Sequence, residues 1–151
     1  MTVIAFDGKT LAADKMAESS GHARTVRKIF RIDGHMLAVS GAYSTGMALL
    51  AWWAKSQGED LNDFPKSDSE EMSANLWVVK PNGSIFVYEN SPFALPFEDR
   101  TFASGCGRDY ALGAMAHGAD AVEAVRIAIE NDIHCGCGID TLVLGEEREP
   151  D

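Results

Sequence analysis

The sequence predicts an α+β protein, with two mainly antiparallel sheets and helices on their outer faces in a four-layer α/β/β/α order. Three observations carry this. Short apolar runs rich in β-branched residues come in pairs joined by Asp-Gly or Asn-Gly, the dipeptides that favour tight hairpins. Helical patterns are confined to two places, one near the middle of the chain and one near its end. No regular alternation of strand and helix suggests a doubly wound parallel sheet.

The elements follow in order. Thr2 to Phe6 is an apolar run, Asp7-Gly8 a turn, and Thr10 to Ala13 a return strand. Residues 15–25 are rich in Ser, Gly and charge, without an apolar period, and read as loop or irregular extended chain. Val26 to Ile32 and His35 to Ser40 form a second strand pair around Asp33-Gly34. A helix follows from about Tyr43 to Gln57, with Ser44 as N-cap and Gly58 as its stop. Tyr43, Met47 and Leu50 mark one apolar side of it, and Leu49, Trp52 and Trp53 another. A helix apolar on two sides needs two burial surfaces, and a second subunit is the expected source of one.

Residues 59–72 are acidic, contain Pro65 and suggest at most a short helix near Ser69. Ala74 to Lys80 and Ser84 to Glu89 pair through Pro81-Asn82-Gly83. The stretch 90–99, with two prolines, reads as a loop, and Arg100 to Ser104 as a short strand. Gly105-Cys106-Gly107 is a corner into a helix from Arg108 to His117. A second helix runs from Ala119 or Asp120 to about Glu130, with Asp120 and Glu123 at capping-box spacing. Glu123, Arg126 and Glu130 make its wet stripe, and Val122, Val125 and Ile129 its dry one. Asn131 to Gly138 is a loop, Ile139 to Leu144 a last strand, and the rest a charged tail.

Composition narrows the function. The 151 residues suit one domain, spanning 1–151, with a real core. Net charge is -10, from 23 acidic and 13 basic residues, which argues against nucleic acid and against anionic membranes as partners. No apolar run approaches a membrane span, and the start shows neither the basic nor the apolar region of a secretory signal. Three cysteines, at 106, 135 and 137, do not make a disulfide framework and suit a reducing cytoplasm.

Chemistry first appears at Thr2. If Met1 is removed, Thr2 carries a hydroxyl and an α-amine on one residue. An α-amine titrates near pH ~8, so the residue contains its own base and is a self-activating nucleophile. Alternation along Val26 to Phe30 puts Arg27 and Lys28 on opposite faces, so one of them points inward and needs a carboxylate, for which Asp14 is a candidate. A second constellation is His134-Cys135-Gly136-Cys137. It offers metal-binding or redox chemistry, with His22, His35 or Cys106 as further ligands, or else plain loop cysteines.

The terminal threonine strand, Ala13-Asp14, Val26-Arg27-Lys28-Ile29-Phe30, and Gly105-Cys106-Gly107 with its helix pair and Asp132 resemble, in their order and spacing, the proteasome β-subunit family of N-terminal nucleophile (Ntn) hydrolases. Within that family the chain is most similar to the bacterial HslV peptidase and to short phage or bacterial proteasome-like proteins. The resemblance runs from Thr2 to Leu144 and implies a threonine peptidase with no cofactor and no metal. It makes Thr2 the nucleophile, Lys28 the group that holds its hydroxyl, Asp14 the partner of Lys28, and Asp132 an orienter of the amine. The backbone at Ser40 and Gly41 would form the oxyanion hole, with Ser40 where the family has glycine. Cys106 stands where the family has a serine near the amine, and Ser104 is a possible substitute. The resemblance also implies homo-oligomeric stacked rings, a polypeptide substrate and an ATPase unfoldase that feeds it. Two alternatives stay open: a silent ring scaffold, and an amidohydrolase acting on a small amide.

Overall fold

A computed structural model describes residues 1–146. It opens with the expected hairpin. β1 (Ile4–Phe6) and β2 (Thr10–Asp14) pair antiparallel, with Ile4 opposite Ala13 and Phe6 opposite Leu11. Asp7 holds the turn by accepting from the N–H groups of Lys9 and Thr10. Its other oxygen accepts from Ala121 N–H, so the turn also anchors a helix far along the chain.

Residues 15–25 are not irregular. They form a hairpin of β3 (Met16–Ser19) and β4 (His22–Thr25), a two-stranded sheet of its own. Ser20 and Gly21 have φ of +51° and +78°, as a two-residue hairpin turn requires. Most of the hairpin is exposed, so no apolar alternation announces it in the sequence.

β5 (Ile29–Ile32) and β6 (His35–Gly41) pair around Asp33-Gly34. The regular strand begins at Ile29, so Lys28 stands at its entry. α1 (Tyr43–Ser56) follows without the expected Ser44 cap; Ala42 is the N-cap residue and makes no side-chain capping bond. Trp52 and Trp53 are buried inside this chain, which corrects the expectation that another subunit covers them. Trp52 meets the rings of Phe64 and Tyr88 edge-on, and its Nε1–H donates to the Asp60 carbonyl. Trp53 packs against His35. Residues 59–72 supply part of that cover. They contain no helix near Ser69, and Phe64 anchors them.

β7 (Ala74–Val79) and β8 (Ile85–Tyr88) are joined by a longer turn than the Asn-Gly signal suggests. Gly83 N–H bonds to the Lys80 carbonyl across Pro81 and Asn82, and Gly83 itself takes φ of +89°. Pro81 presets the first turn position, and glycine absorbs the left-handed one. The stretch expected as loop contains β9 (Leu95–Phe97), the edge strand of a five-stranded sheet ordered β5-β6-β7-β8-β9. An edge tolerates Pro96, because one side of the strand needs no donor.

β10 (Phe102–Ser104), α2 (Arg108–Ala116), α3 (Ala121–Asn131) and β11 (Ile139–Val143) complete the described chain. Asp120 caps α3 through Glu123 N–H. The dry face of α3 is Ala121, Ala124, Val125 and Ala128, while Val122 is exposed. Small side chains let the helix lie close to the sheet beneath it. That sheet is ordered β10-β1-β2-β11, and every strand pair in both sheets is antiparallel. The tail expected from Gly145 lies, beyond residue 146, outside the described residues.

The core follows the two-residue period of the strands. Ile4 and Phe6 join Met36, Ala38, Trp77 and Val79 in a cluster drawn from both sheets. Leu37 and Val39, the alternate residues of β6, pack with Leu49, Trp52 and Trp53 of α1. Ala5 of β1 and Val3 just before it pack with Ala111, Ala124, Val125 and Ala128 of α2 and α3. The molecule is α+β. No described helix is long and apolar enough to cross a membrane.

Candidate active site

The site forms where the chain start is clamped at one end of the four-stranded sheet, between the end of β2 and the corner after β10. Asp14, at the end of β2, accepts from Val3 N–H at 3.0 Å, and its own N–H returns to the Val3 carbonyl at 3.1 Å. On the other side, Gly107 N–H holds the Thr2 carbonyl at 3.1 Å. Gly105 makes room for this close approach. It takes φ of +93°, and a Cβ there would lie 2.1 Å from the Thr2 carbonyl oxygen. Thr2 is buried as a result.

Lys28 reaches this clamp from the entry to β5. Its Nζ lies 2.8 Å from Asp14 Oδ1, 3.1 Å from Thr2 Oγ1 and 3.1 Å from the Met1 carbonyl. Three ammonium protons meet three acceptors. The side chains of the pair are 3% and 0% exposed. A buried ammonium survives only with such compensation. Asp14 is equally occupied, because its Oδ2 accepts from Gly136 N–H at 3.0 Å and Met16 N–H at 3.4 Å. The Thr2 hydroxyl accepts from Lys28 and donates to the Met1 carbonyl at 2.7 Å.

Beside the Thr2 nitrogen stands Cys106. Thr2 N–H donates to its sulfur at 3.2 Å, and the thiol faces the Thr2 carbonyl at 3.5 Å. Cys135 lies behind, 3.8 Å away sulfur to sulfur. Asp132 joins them; its carboxylate and the two sulfurs all lie within 4.8 Å of one another. The His134 backbone N–H, and less strongly the Cys106 thiol, hold Asp132 below the usual carboxylate range. Burial, with the charge of Asp14 second, pushes the Cys135 thiol up.

Ser40 and Gly41, at the end of β6, line a cleft of about 210 Å³ together with Thr2, Lys28, Glu18 and Tyr43. Gly41 has φ of +92°, and a Cβ there would fall 2.5 Å from the Ser73 carbonyl oxygen, so only glycine fits. The Ser40 hydroxyl pairs with that of Ser104 at 2.9 Å. Ser104, the possible substitute for Cys106, is thus engaged with Ser40.

The structure therefore brings Thr2, Asp14, Lys28, Ser40, Gly41 and Cys106 together, with Asp132 reaching the group through Cys106. Cys135 and Gly136 belong to the same neighbourhood; of the further ligands that the sequence offers for the Cys135 constellation, Cys106 is the one beside Cys135. The Cys135-Gly-Cys137 pair is not formed; Cys137 is exposed with φ of +63°, and Cys135 pairs with Cys106 instead. No sequence spacing links residues 106 and 135. Only the return of the loop after α3 to the corner before α2 does so.

No sequence-family profile matches the chain, and no curated protein matches it in sequence. Solved structures do match. BPH from Thiobacillus denitrificans covers 97% of this chain and 100% of its own length, with TM-score 0.70 and 21% identity. Eukaryotic HslV from Trypanosoma brucei covers 96% and 99%, with TM-score 0.69 and 20% identity. Anbu, the ancestral beta-subunit from Yersinia bercovieri, covers 100% and 86%, with TM-score 0.69 and 11% identity. Over nearly its whole length the chain has the fold of the proteasome-like Ntn hydrolases.

Proposed function

We propose that this single domain, residues 1–151, is a threonine-type peptidase whose nucleophile is Thr2 once the Met1–Thr2 bond is cut. The observation that carries the reading is Lys28 Nζ, 3.1 Å from Thr2 Oγ1 with its charge balanced by Asp14 at 2.8 Å. A fixed ammonium beside a hydroxyl favours the alkoxide form and stabilises the charge that develops during attack. Cutting the bond removes the Met1 carbonyl, which in the uncut chain accepts hydrogen bonds from Lys28 and from the Thr2 hydroxyl. Both groups then turn to substrate.

In this reading a peptide carbonyl enters the cleft with its oxygen toward the backbone at Ser40 and Gly41. The hydroxyl attacks, the Thr2 amine carries the proton to the leaving amide, and water resolves the acyl-enzyme. Asp132 and Cys106 orient the amine. The succession of α1, five-stranded sheet, four-stranded sheet and α2 with α3 is read as a four-layer α/β/β/α sandwich. The resemblance further suggests homo-oligomeric rings in the cytoplasm, a polypeptide substrate and an ATPase that delivers it. BPH from Thiobacillus denitrificans, 23% identical in its complex with epoxomicin, supplies a probe.

A silent scaffold is the second reading, favoured by one observation. While Met1 is attached, its carbonyl occupies both the Thr2 hydroxyl and Lys28. Intact mass of the purified protein, before and after incubation with epoxomicin, separates the two. Peptidase chemistry predicts loss of the Met1 mass and a single adduct, absent in Thr2→Ala. Retained Met1 with no adduct moves the assignment to the scaffold. An adduct on a protein that hydrolyses small amides but no peptide moves it to an amidohydrolase.

A further inference from the structure

We propose that Cys106, Asp132 and Cys135 form a binding site for a thiophilic divalent cation of the zinc class, and that the Thr2 α-amine becomes its fourth ligand in the cut chain. The three side chains come from two segments distant in sequence, the corner before α2 and the loop after α3. Gly107 allows them to meet, since a Cβ there would lie 2.8 Å from Val3 Cβ and 3.1 Å from Cys135 Sγ. Their sulfurs are 3.8 Å apart. Two thiolates on a tetrahedral zinc, with bonds of about 2.3 Å, stand about 3.8 Å apart. All three donor atoms already fall within 4.8 Å of one another, and the Thr2 nitrogen lies 3.2 Å from Cys106 Sγ.

The donor set selects the ion. Two sulfurs with one carboxylate and one nitrogen suit zinc and its soft neighbours, whereas calcium and magnesium require oxygen. His134 N–H fixes one oxygen of Asp132 and so orients its carboxylate, as an outer partner does for a ligand. A disulfide is the competing use of two close sulfurs. Here the sulfurs stand 3.8 Å apart, well beyond the roughly 2.05 Å of an S–S bond, and both cysteines are free. A thiol that coordinates such a cation gives up its proton. On binding, two sulfur–metal bonds form, two thiol protons pass to water, and no atom changes oxidation state. The cation also takes the lone pair of the Thr2 amine. The loaded site then lacks its base, a consequence that rests on the peptidase reading.

Cobalt titration of the full chain, reduced with a phosphine, tests the site without reference to activity. One Co²⁺ per chain is expected, with a sulfur-to-cobalt absorption in the near ultraviolet and visible bands of tetrahedral coordination, both displaced by Zn²⁺. Loss of an outer partner costs metal sites 10–100-fold in affinity, so loss of a ligand in Cys106→Ser is expected to cost at least about tenfold. Cys137→Ser, an exposed position outside the cluster, is expected to leave the titration unchanged. Cys106 is also exposed, so its variant is expected to keep its fold, checked by circular dichroism. No sulfur band, a band that forms in Cys106→Ser with undiminished affinity, or a Cys106–Cys135 disulfide that resists the phosphine overturns the site. In the Met1-free protein, Zn²⁺ is expected to slow epoxomicin labelling at least about tenfold; labelling unchanged at full zinc loading overturns the amine as a ligand. If no adduct forms with or without zinc, the peptidase reading fails while the cobalt spectrum still decides the site.

Discussion

Two ion-pair systems in this molecule differ sharply in exposure. On α3, Arg126 pairs with Glu123 and Glu130, all with side chains 44–56% exposed. Between the sheets, Lys28 pairs with Asp14 at 3% and 0% exposure. The α3 network links neighbours three and four residues apart, and water can replace any member. The buried pair ties together residues 2, 14, 28 and 136, and nothing replaces a lost member. Removing an ammonium and a carboxylate from water costs several kcal/mol each, of order what their attraction returns. A pair of apolar side chains would hold the sheets together as well. The buried pair does something else, which is to present an ammonium to the Thr2 hydroxyl.

Mutations at the two ends of this contrast should behave unlike each other. The largest effect is expected for Asp14→Ala. It leaves Lys28 buried without its counter-ion and removes the acceptor of the Val3 and Gly136 N–H groups. Breaking a buried pair costs about 3–5 kcal/mol, so chemical denaturation should show a loss of that size together with loss of epoxomicin labelling. A loss near zero would mean that water reaches the pair. Gly105→Ala comes next. The added methyl meets the Thr2 carbonyl at φ of +93° and must push the nucleophile away. Overpacking of this kind costs about 1–3 kcal/mol, and labelling should fall even where the protein stays folded. Wild-type labelling of a folded Gly105→Ala variant would show that the position of Thr2 is not held by this corner.

The smallest effect is expected for Arg126→Ala. Arg126 holds the Glu123 carboxyl below its usual range. A carboxylate with a depressed folded pKa adds stability above its unfolded pKa and loses it as pH falls through the folded value. Thermal melts of wild type and variant should therefore differ slightly at neutral pH and converge in acid, and raised salt should shrink the difference. A difference that persists in strong acid would mean that packing of the arginine stem, not charge, is what the variant removes.

What the sequence shows and hides follows the same division. The Glu123, Arg126 and Glu130 stripe is legible because helical spacing is local. Lys28 is half legible: an Arg-Lys step expected on a strand sends one side chain inward, the resemblance picks the lysine, and the regular strand itself begins only at Ile29. The β3–β4 hairpin is hidden because it buries little and so shows no alternation. β9 is hidden because Pro96 reads as a breaker until its edge position is known. The tryptophans of α1 mislead because their cover, Phe64 and Tyr88, comes from stretches without a readable link to the helix. Thr2 and Asp14 are candidates from their own chemistry and gain their roles from the resemblance, as Cys106 gains its place near the amine, whereas Asp132, Ser40 and Gly41 are singled out by resemblance alone. The neighbourhood of Cys106 and Cys135 exists only in three dimensions.

The most direct measurement is the rate at which epoxomicin labels Lys28→Met, a variant that keeps the length of the side chain and removes its charge. Asp14 retains its backbone donors, so the fold should survive, as a cooperative thermal melt would show. Loss of a preorganised electrostatic donor costs roughly 10²–10³ in rate, and labelling of the folded variant should slow by that factor. Labelling of folded Lys28→Met at the wild-type rate would contradict the account, because the buried ammonium would then have no part in activating Thr2.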